Sequence, residues 1–328
     1  MQVSILGTGR ALPARSLLSH EIDRDLKLGD RISSTGVRRR FVCDHETQID
    51  LAQSAALSAL ENAGVAVAEV DLIISGSSVP FQPIPASAPL IMRRLEIADG
   101  TAAAFDVNST CLSFVSGLDV AARMIDGGAA KRALVISSEL ASRALPWENQ
   151  PEVAALFGDG AAAAVLGPSD PEAASEIVAI HLRSYPSAYD ACQIGAGGTR
   201  IDFDAERDAF IANAKFWMDG KALFRLTAQH FNRFVDELLK QAGWSRSDVD
   251  LVVPHQASPA GLDHMIRQTG FHCDRVVRIV EDYGNQIAAS IPFALDIARE
   301  QGRVRGGSKV LLLGTSAGVS FGGMALVV

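Results

Sequence analysis

Two stretches of this 328-residue chain read as copies of one supersecondary unit. The first is ALENAGVAVAEVDLIISGSS at 59–78 and the second LLKQAGWSRSDVDLVVPHQAS at 238–258, each a helix, a turn and a buried strand. Ala63-Gly64 falls on Ala242-Gly243 and Asp71-Leu72 on Asp250-Leu251 at one constant offset. Glycine where the helical period ends, and a β-branched apolar run after the aspartate, are the stop and start signals of such a unit. The correspondence resumes downstream, where SGLDVAARMIDGGAAKRALVISSE (116–139) matches FALDIAREQGRVRGGSKVLLLGTS (293–316) with the offset changed by only two. Two collinear matches argue for duplication within one α/β architecture. The expected halves are 1–170 and 175–328, joined by a surface crossover at PSDPEAAS (168–175). Apolar strand runs alternate with helical spacing in each half, which predicts mostly parallel sheets covered by helices.

A chain that is 48% hydrophobic and 21% charged can bury a large core. Its net charge of −8 and the absence of any long lysine or arginine run exclude nucleic acid as the expected partner. The densest basic cluster, Arg38-Arg39-Arg40, is more cheaply read as a solvated face or a local anion contact. Cys43, Cys111, Cys192 and Cys273 are widely spaced, with no CxxC pair and no HExxH, so neither a metal nor a disulfide framework is expected. No leader-like segment and no long apolar run occurs, which points to a cytoplasmic protein that does not span a membrane.

Three residues carry the candidate chemistry. AAAFDV (102–107) reads as a strand, NST turns, and apolar residues at helical spacing follow from Cys111, which is thus expected at a helix start. Unpaired N–H groups and the dipole there favour a thiolate and lower the thiol pKa. Cys111 falls on Ala288 in the repeat, so its turn pairs with the turn of GNQIAAS. His255 follows the strand run VDLVVP and emerges at a strand C-terminus, where α/β sheets place ligand sites. Asn285 occupies a glycine-flanked turn, and its amide offers neutral N–H donors. Both suit stabilisation of an enolate or oxyanion. Taken singly, each residue is as readily a small buried thiol, a strand-end histidine or a turn asparagine.

Motifs across almost the whole chain resemble the β-ketoacyl-acyl-carrier-protein synthase III family of thiolase-fold condensing enzymes. They are GTGRALPA, STGVRRR (34–40), DVNSTCLSFVSGL around Cys111, FGDGAAAAVL (157–166), VPHQAS around His255, YGNQIAASIPFAL around Asn285 and GTSAGVSFGG near the end. The resemblance implies a five-layered αβαβα fold of two related halves, a homodimer and a ping-pong acyl transfer. Cys111 would take an acyl group from an acyl-CoA or acyl-carrier-protein thioester. Decarboxylation of a malonyl thioester would follow, with His255 and Asn285 holding the enolate. The N–H groups of Cys111 and Gly318 would form the oxyanion hole, and no tightly bound cofactor or metal is implied.

Some positions depart from the family pattern. Asp30 and Ser34 stand where the family's tryptophan and arginine clamp an adenine, Ser258 replaces the asparagine after HQA, and Ala260 replaces a docking arginine. Alternatives therefore stay open: acyl transfer to a hydroxyl or amine in secondary metabolism, or condensation without decarboxylation. The latter needs a base for an α-proton, with Glu139 and Glu152 as candidates. A thiolase-fold binding protein without turnover and a cysteine hydrolase are weaker options. The loops 80–89 and 194–200 are expected to wall the acyl tunnel; Trp217 and Phe224 are candidates for its entrance, although the helical stretch that carries them is more safely read as core packing.

Overall fold

A computed structural model describes residues 1–170 and 175–328, and the middle of the expected crossover, 171–174, lies outside the described residues. Two sheets form the frame. The first orders its strands Val3–Ala11, Gly160–Pro168, Ala133–Glu139, Leu72–Ser75 and Ala103–Asp106. The second orders Leu251–Pro254, Lys309–Ser316, Ser320–Val327 and Glu176–Ser184. Both are mixed, which corrects the expectation of mostly parallel sheets. Leu72–Ser75 runs parallel to both its neighbours, whereas Gly160–Pro168 pairs antiparallel on both sides. The second sheet repeats the pattern, with one parallel pairing followed by two antiparallel ones. A tight link between Ser316 and Ser320 leaves no room for a crossover helix, so those strands close as a hairpin.

Helices complete five layers. Ser113–Asp126 and Ser290–Glu300 lie between the sheets, and one apolar cluster joins Phe114, Leu118 and Phe293 to Ile74 and Val135 of one sheet and Val253 and Leu312 of the other. Gln48–Ala63 covers the outer face of the first sheet through Ala52, Ala55 and Ala59. Small residues on both sides let that helix approach closely: a Cβ at Gly7 would lie 2.5 Å from the nitrogen of Ala63. Gly220–Ala242 and Pro259–Thr269 cover the second sheet around Phe234, Leu238 and Leu262.

The duplication extends to individual hydrogen bonds. Gly64 and Gly243 close equivalent helices at φ 63° and 69°. Asp71 accepts the backbone N–H groups of Lys131 and Arg132, and Asp250 accepts that of Lys309, so each aspartate ties one strand start to its neighbour. Of the basic cluster, Arg38 makes a two-pronged pair with Asp282 and Arg39 lies over the Phe41 ring. Arg40, by contrast, is buried and donates to Ser19 Oγ and the Ala155 carbonyl, so the solvated-face reading fails for it. Burial lowers its pKa to about 10, which leaves it charged. Among the described residues no helix is long and apolar enough to cross a membrane. Asp71→Ala and Asp250→Ala should each lower the unfolding free energy by about 0.5–1.5 kcal/mol by removing hydrogen bonds at strand starts, measured by urea denaturation.

Candidate active site

The nucleophile turn and the asparagine turn are two copies of one structure. Thr110 and Ile287 both sit at φ 49°, in the left-handed region that β-branched residues avoid. Asn108 Oδ1 accepts the N–H of Thr110 at 2.9 Å, and Asn285 Oδ1 accepts that of Ile287 at 2.8 Å. Ser113 Oγ donates to the Thr110 carbonyl at 2.6 Å, and Ser290 Oγ lies 2.8 Å from the Ile287 carbonyl. Each turn leads through a short 3-10 segment, Thr110–Leu112 or Ile287–Ala289, into a central helix. Cys111 therefore precedes the α-helix proper, which begins at Ser113 rather than at the cysteine.

Burial pushes the Cys111 thiol up, and the charges of Cys192 and Glu139 add to that rise. This reverses the expected lowering: Cys111 lies in the 3-10 turn ahead of the α-helix, and desolvation outweighs the helix-end effect. Two backbone N–H groups oppose the rise, those of Ala317 and of Cys111 itself. Gly318, expected as the second donor, is the next residue along at φ 103°, and the N–H turned to the thiol is that of Ala317. Thr110 Oγ1 donates to the Ala317 carbonyl at 3.2 Å, which fixes the direction of that residue's peptide.

His255 follows the Leu251–Pro254 strand, with its N–H on the Leu313 carbonyl at 2.7 Å. Its Nδ1 lies 2.6 Å from Ser290 Oγ. The single hydroxyl hydrogen of Ser290 thus has two acceptors, Nδ1 and the Ile287 carbonyl. When it turns to Nδ1, the imidazole carries its proton on Nε2 and donates into the site; when it turns away, Nε2 is a bare acceptor. Desolvation lowers the His255 pKa to about 4, so the ring is neutral at physiological pH. Asn285 is placed by its N–H on the Leu156 carbonyl at 2.7 Å and by Nδ2 on the Ala257 carbonyl at 3.3 Å. Gly284 is needed there: at φ 70°, a Cβ would come within 3.0 Å of the Leu156 oxygen. Ser258 caps the Pro259–Thr269 helix by accepting the Gly261 N–H, a structural use of the position that departs from the family pattern.

Cys111, His255 and Asn285 line one cavity of about 1280 Å³. Both loops expected to wall it do so, through Phe81 and Pro83 of one and Ile194 and Gly197 of the other. Phe224 stands half-exposed on its lining, but Trp217 does not face it. Phe216 and Met218 do, as the alternation of an extended segment requires. Neither candidate base faces the cavity. Glu152 is half-buried and paired with Arg31 at 2.6 Å, while Glu139 is fully buried behind the wall. No aspartate or glutamate appears on the lining among the described residues.

Family models for 3-oxoacyl-(acyl-carrier-protein) synthase III match residues 105–186 and, for its C-terminal part, 239–328. The chain belongs to this family. The β-ketoacyl-(acyl-carrier-protein) synthase III of Rhizorhabdus wittichii is 35% identical, with 98% of each chain covered. The Pseudomonas aeruginosa 3-oxoacyl-(acyl carrier protein) synthase III structure superposes with TM-score 0.88 at 33% identity, covering 100% of this chain and 98% of the other. That of Aquifex aeolicus gives 0.87 at 30%, covering 99% and 100%. The protein is accordingly a thiolase-fold acyltransferase, and its reaction is the malonyl-thioester-dependent condensation that yields a 3-oxoacyl product.

The His255 shift has a stability consequence. The unfolded chain takes up a proton as pH falls through the ordinary value of 6.5, whereas the folded chain does so only near 4. The associated stability is complete above 6.5 and is lost as pH falls towards 4, by about 3 kcal/mol. Urea titrations at pH 7 and pH 4 should show that decline in the wild type and a correspondingly smaller one in His255→Gln.

Proposed function

We propose that Cys111 carries the acyl group as a thioester, and that His255 and Asn285 hold the enolate that attacks it. The observation that supports this most is the cavity: the three residues share it, and no carboxylate lines it among the described residues. A condensation that removes an α-proton needs a base in contact with substrate. Loss of CO2 from a malonyl thioester needs none, because the C–C bond electrons become the enolate pair. That pair attacks the acyl carbonyl, the Cys111 thiolate departs, and the 3-oxoacyl thioester is released. The decarboxylative reading is thus favoured over condensation without decarboxylation.

Burial keeps the resting pair as neutral thiol and neutral imidazole. His255 Nε2 accepts the thiol proton as the acyl thioester is attacked, the N–H groups of Cys111 and Ala317 receive the developing oxyanion, and the imidazolium returns the proton to the donor's departing thiolate as the Cys111 thioester forms. In the second step the Nε2–H form of His255 and the Asn285 amide donate to the malonyl thioester carbonyl. The cavity exceeds the roughly 300–1,000 Å³ of common ligand sites, which supports acyl groups well beyond acetyl.

The donors in this reading are acyl-CoA or acyl-carrier-protein thioesters. Lys221 and Arg225 stand exposed beside Phe224, a cationic patch that suits the phosphate of a pantetheine arm. Asp30 and Ser34 are both exposed and offer no aromatic clamp for adenine, which favours carrier-protein delivery over free coenzyme A. A homodimer fits the Val79–Ile84 loop, whose Ile84 side chain is 86% exposed. A cytoplasmic setting fits four free cysteines. The halves 1–170 and 175–328 act as a nucleophile half and an enolate-binding half.

Incubation with acyl-CoA esters from acetyl to dodecanoyl, and with the matching acyl carrier proteins, should give an intact-mass adduct that Cys111→Ala lacks. Adduct on that variant, or none on the wild type from any donor, overturns the assignment. Asn285→Ala should keep the adduct but slow condensation with the malonyl thioester on the order of 10²–10³-fold, as loss of an oxyanion donor does.

A further inference from the structure

The helices Gly220–Ala242 and Pro259–Thr269 form one end of the cavity. Each turns a face towards it: Gly220, Phe224 and Thr227 from the first, Gly261 and His264 from the second, at the three- and four-residue spacing of one side of a helix. The rings of Phe224 and His264 meet across this cleft with centroids 3.9 Å apart. His264 is only 6% exposed, and its Nε2 is buried with no hydrogen-bond partner among the described residues. The hydroxyl on the facing helix does not supply one, because Thr227 Oγ1 donates to the Leu223 carbonyl at 2.7 Å. Leaving a buried ring nitrogen unpaired is unfavourable, so a group that enters the cavity and meets it gains what the protein itself does not provide.

The surface at this end is cationic. Lys221 and Arg225 share a shallow pocket with Phe224, Arg267 lies one turn beyond His264 on its own helix, and all three are exposed. None of them pairs with a carboxylate among the described residues, in a chain whose net charge is −8. The catalytic end is marked by the Ala257 carbonyl, which accepts Asn285 Nδ2, and His264 stands about 9 Å along the helix axis from the Ser258 cap that follows. His264 therefore lies between the exposed Arg267 and the catalytic end.

We propose that His264 is a specificity residue for the acyl donor: its Nε2 hydrogen-bonds a secondary amide of the phosphopantetheine arm, so that the arm and not the acyl chain fills the cleft between the two helices. A secondary amide suits the position because its carbonyl accepts and its N–H donates, which satisfies Nε2 in either tautomer. An acyl chain offers neither. Desolvation and the Arg267 charge lower the His264 pKa, which keeps the ring neutral with one donor and one acceptor. The arm common to coenzyme A and carrier proteins has a phosphate for the cations at one end, the thioester at the other and two amides between. The inference rests on the reading of Cys111 as the group that takes the acyl chain from such a thioester.

The test compares butyryl thioesters of pantetheine and of mercaptoethanol, which share the acyl group and differ in the amides, by following intact mass of the acylated protein against time. His264→Phe should lower the ratio of pantetheine to mercaptoethanol loading rates on the order of tenfold, through KM and not the rate at saturation. His264→Gln, which keeps a donor and an acceptor, should restore most of that ratio. A ratio that His264→Phe leaves unchanged overturns the inference, and so does a glutamine variant no better than the phenylalanine one. Butyryl-CoA and butyryl carrier protein should lose rate equally, since they share the arm; a loss confined to the carrier protein assigns His264 to protein docking and overturns the amide contact. Should His264→Phe not fold, wild-type protein with isotope-labelled histidine decides. Coenzyme A should shift the His264 side-chain resonance, identified by its absence from His264→Gln, and mercaptoethanol should not; no shift with coenzyme A overturns the inference. A shift in a protein that takes up no acyl group upholds the amide contact and overturns the proposed function instead.

Discussion

A β-branched residue forced to positive φ on each side of the duplication is the constraint on which the site depends. Thr110 and Ile287 would each relax if their turns were free, because such backbone costs about 1–3 kcal/mol. They are held by an asparagine side chain on one flank and a serine hydroxyl on the other, the same device twice. The turns meet because each feeds a central helix clamped between the two sheets. That layer aims Cys111 and Asn285 into the same space, and the sheets fix the distance between them.

Duplication supplied two identical turns, and chemistry required them to differ. In the first turn the residue after the strained position is Cys111; in the second it is Ala288, with Asn285 two residues before the strained position. Each asparagine also donates outside its turn, Asn108 Nδ2 to the Ser78 carbonyl and Asn285 Nδ2 to the Ala257 carbonyl. The serines differ: Ser113 serves only its own backbone turn, whereas Ser290 also reaches His255. The active site is thus a symmetric scaffold with asymmetric side chains. Burial keeps both the thiol and the imidazole neutral, and the N–H groups of Cys111 and Ala317 oppose that effect at the thiol.

Much of this was legible in the chain. The repeat, the helix stops at Gly64 and Gly243 and the strands after Asp71 and Asp250 are local patterns, written by helical period and turn chemistry. The failures share a cause. The thiol shift had the wrong sign because a helix dipole can be inferred from sequence while burial cannot. The sheets are mixed where alternating strands and helices suggest mostly parallel ones, because alternation along the chain does not show that Gly160–Pro168 and Ser320–Val327 pair antiparallel with their neighbours. Trp217, a candidate for the entrance or the core, is in neither: alternation around Phe216 and Met218 turns it away from the cavity, and it is half-exposed. Arg40 was read as solvated beside two neighbours that are.

The sequence by itself determined the duplicated α/β plan and singled out Cys111, His255 and Asn285, since periodicity and spacing are local properties of a chain. The tertiary structure decided which charges survive and which groups face the cavity. Burial of Glu139, the Ala317 N–H at the thiol and the Ser290 hydroxyl beneath His255 depend on contacts between segments far apart in the chain. Desolvation and hydrogen-bond direction exist only once those segments meet.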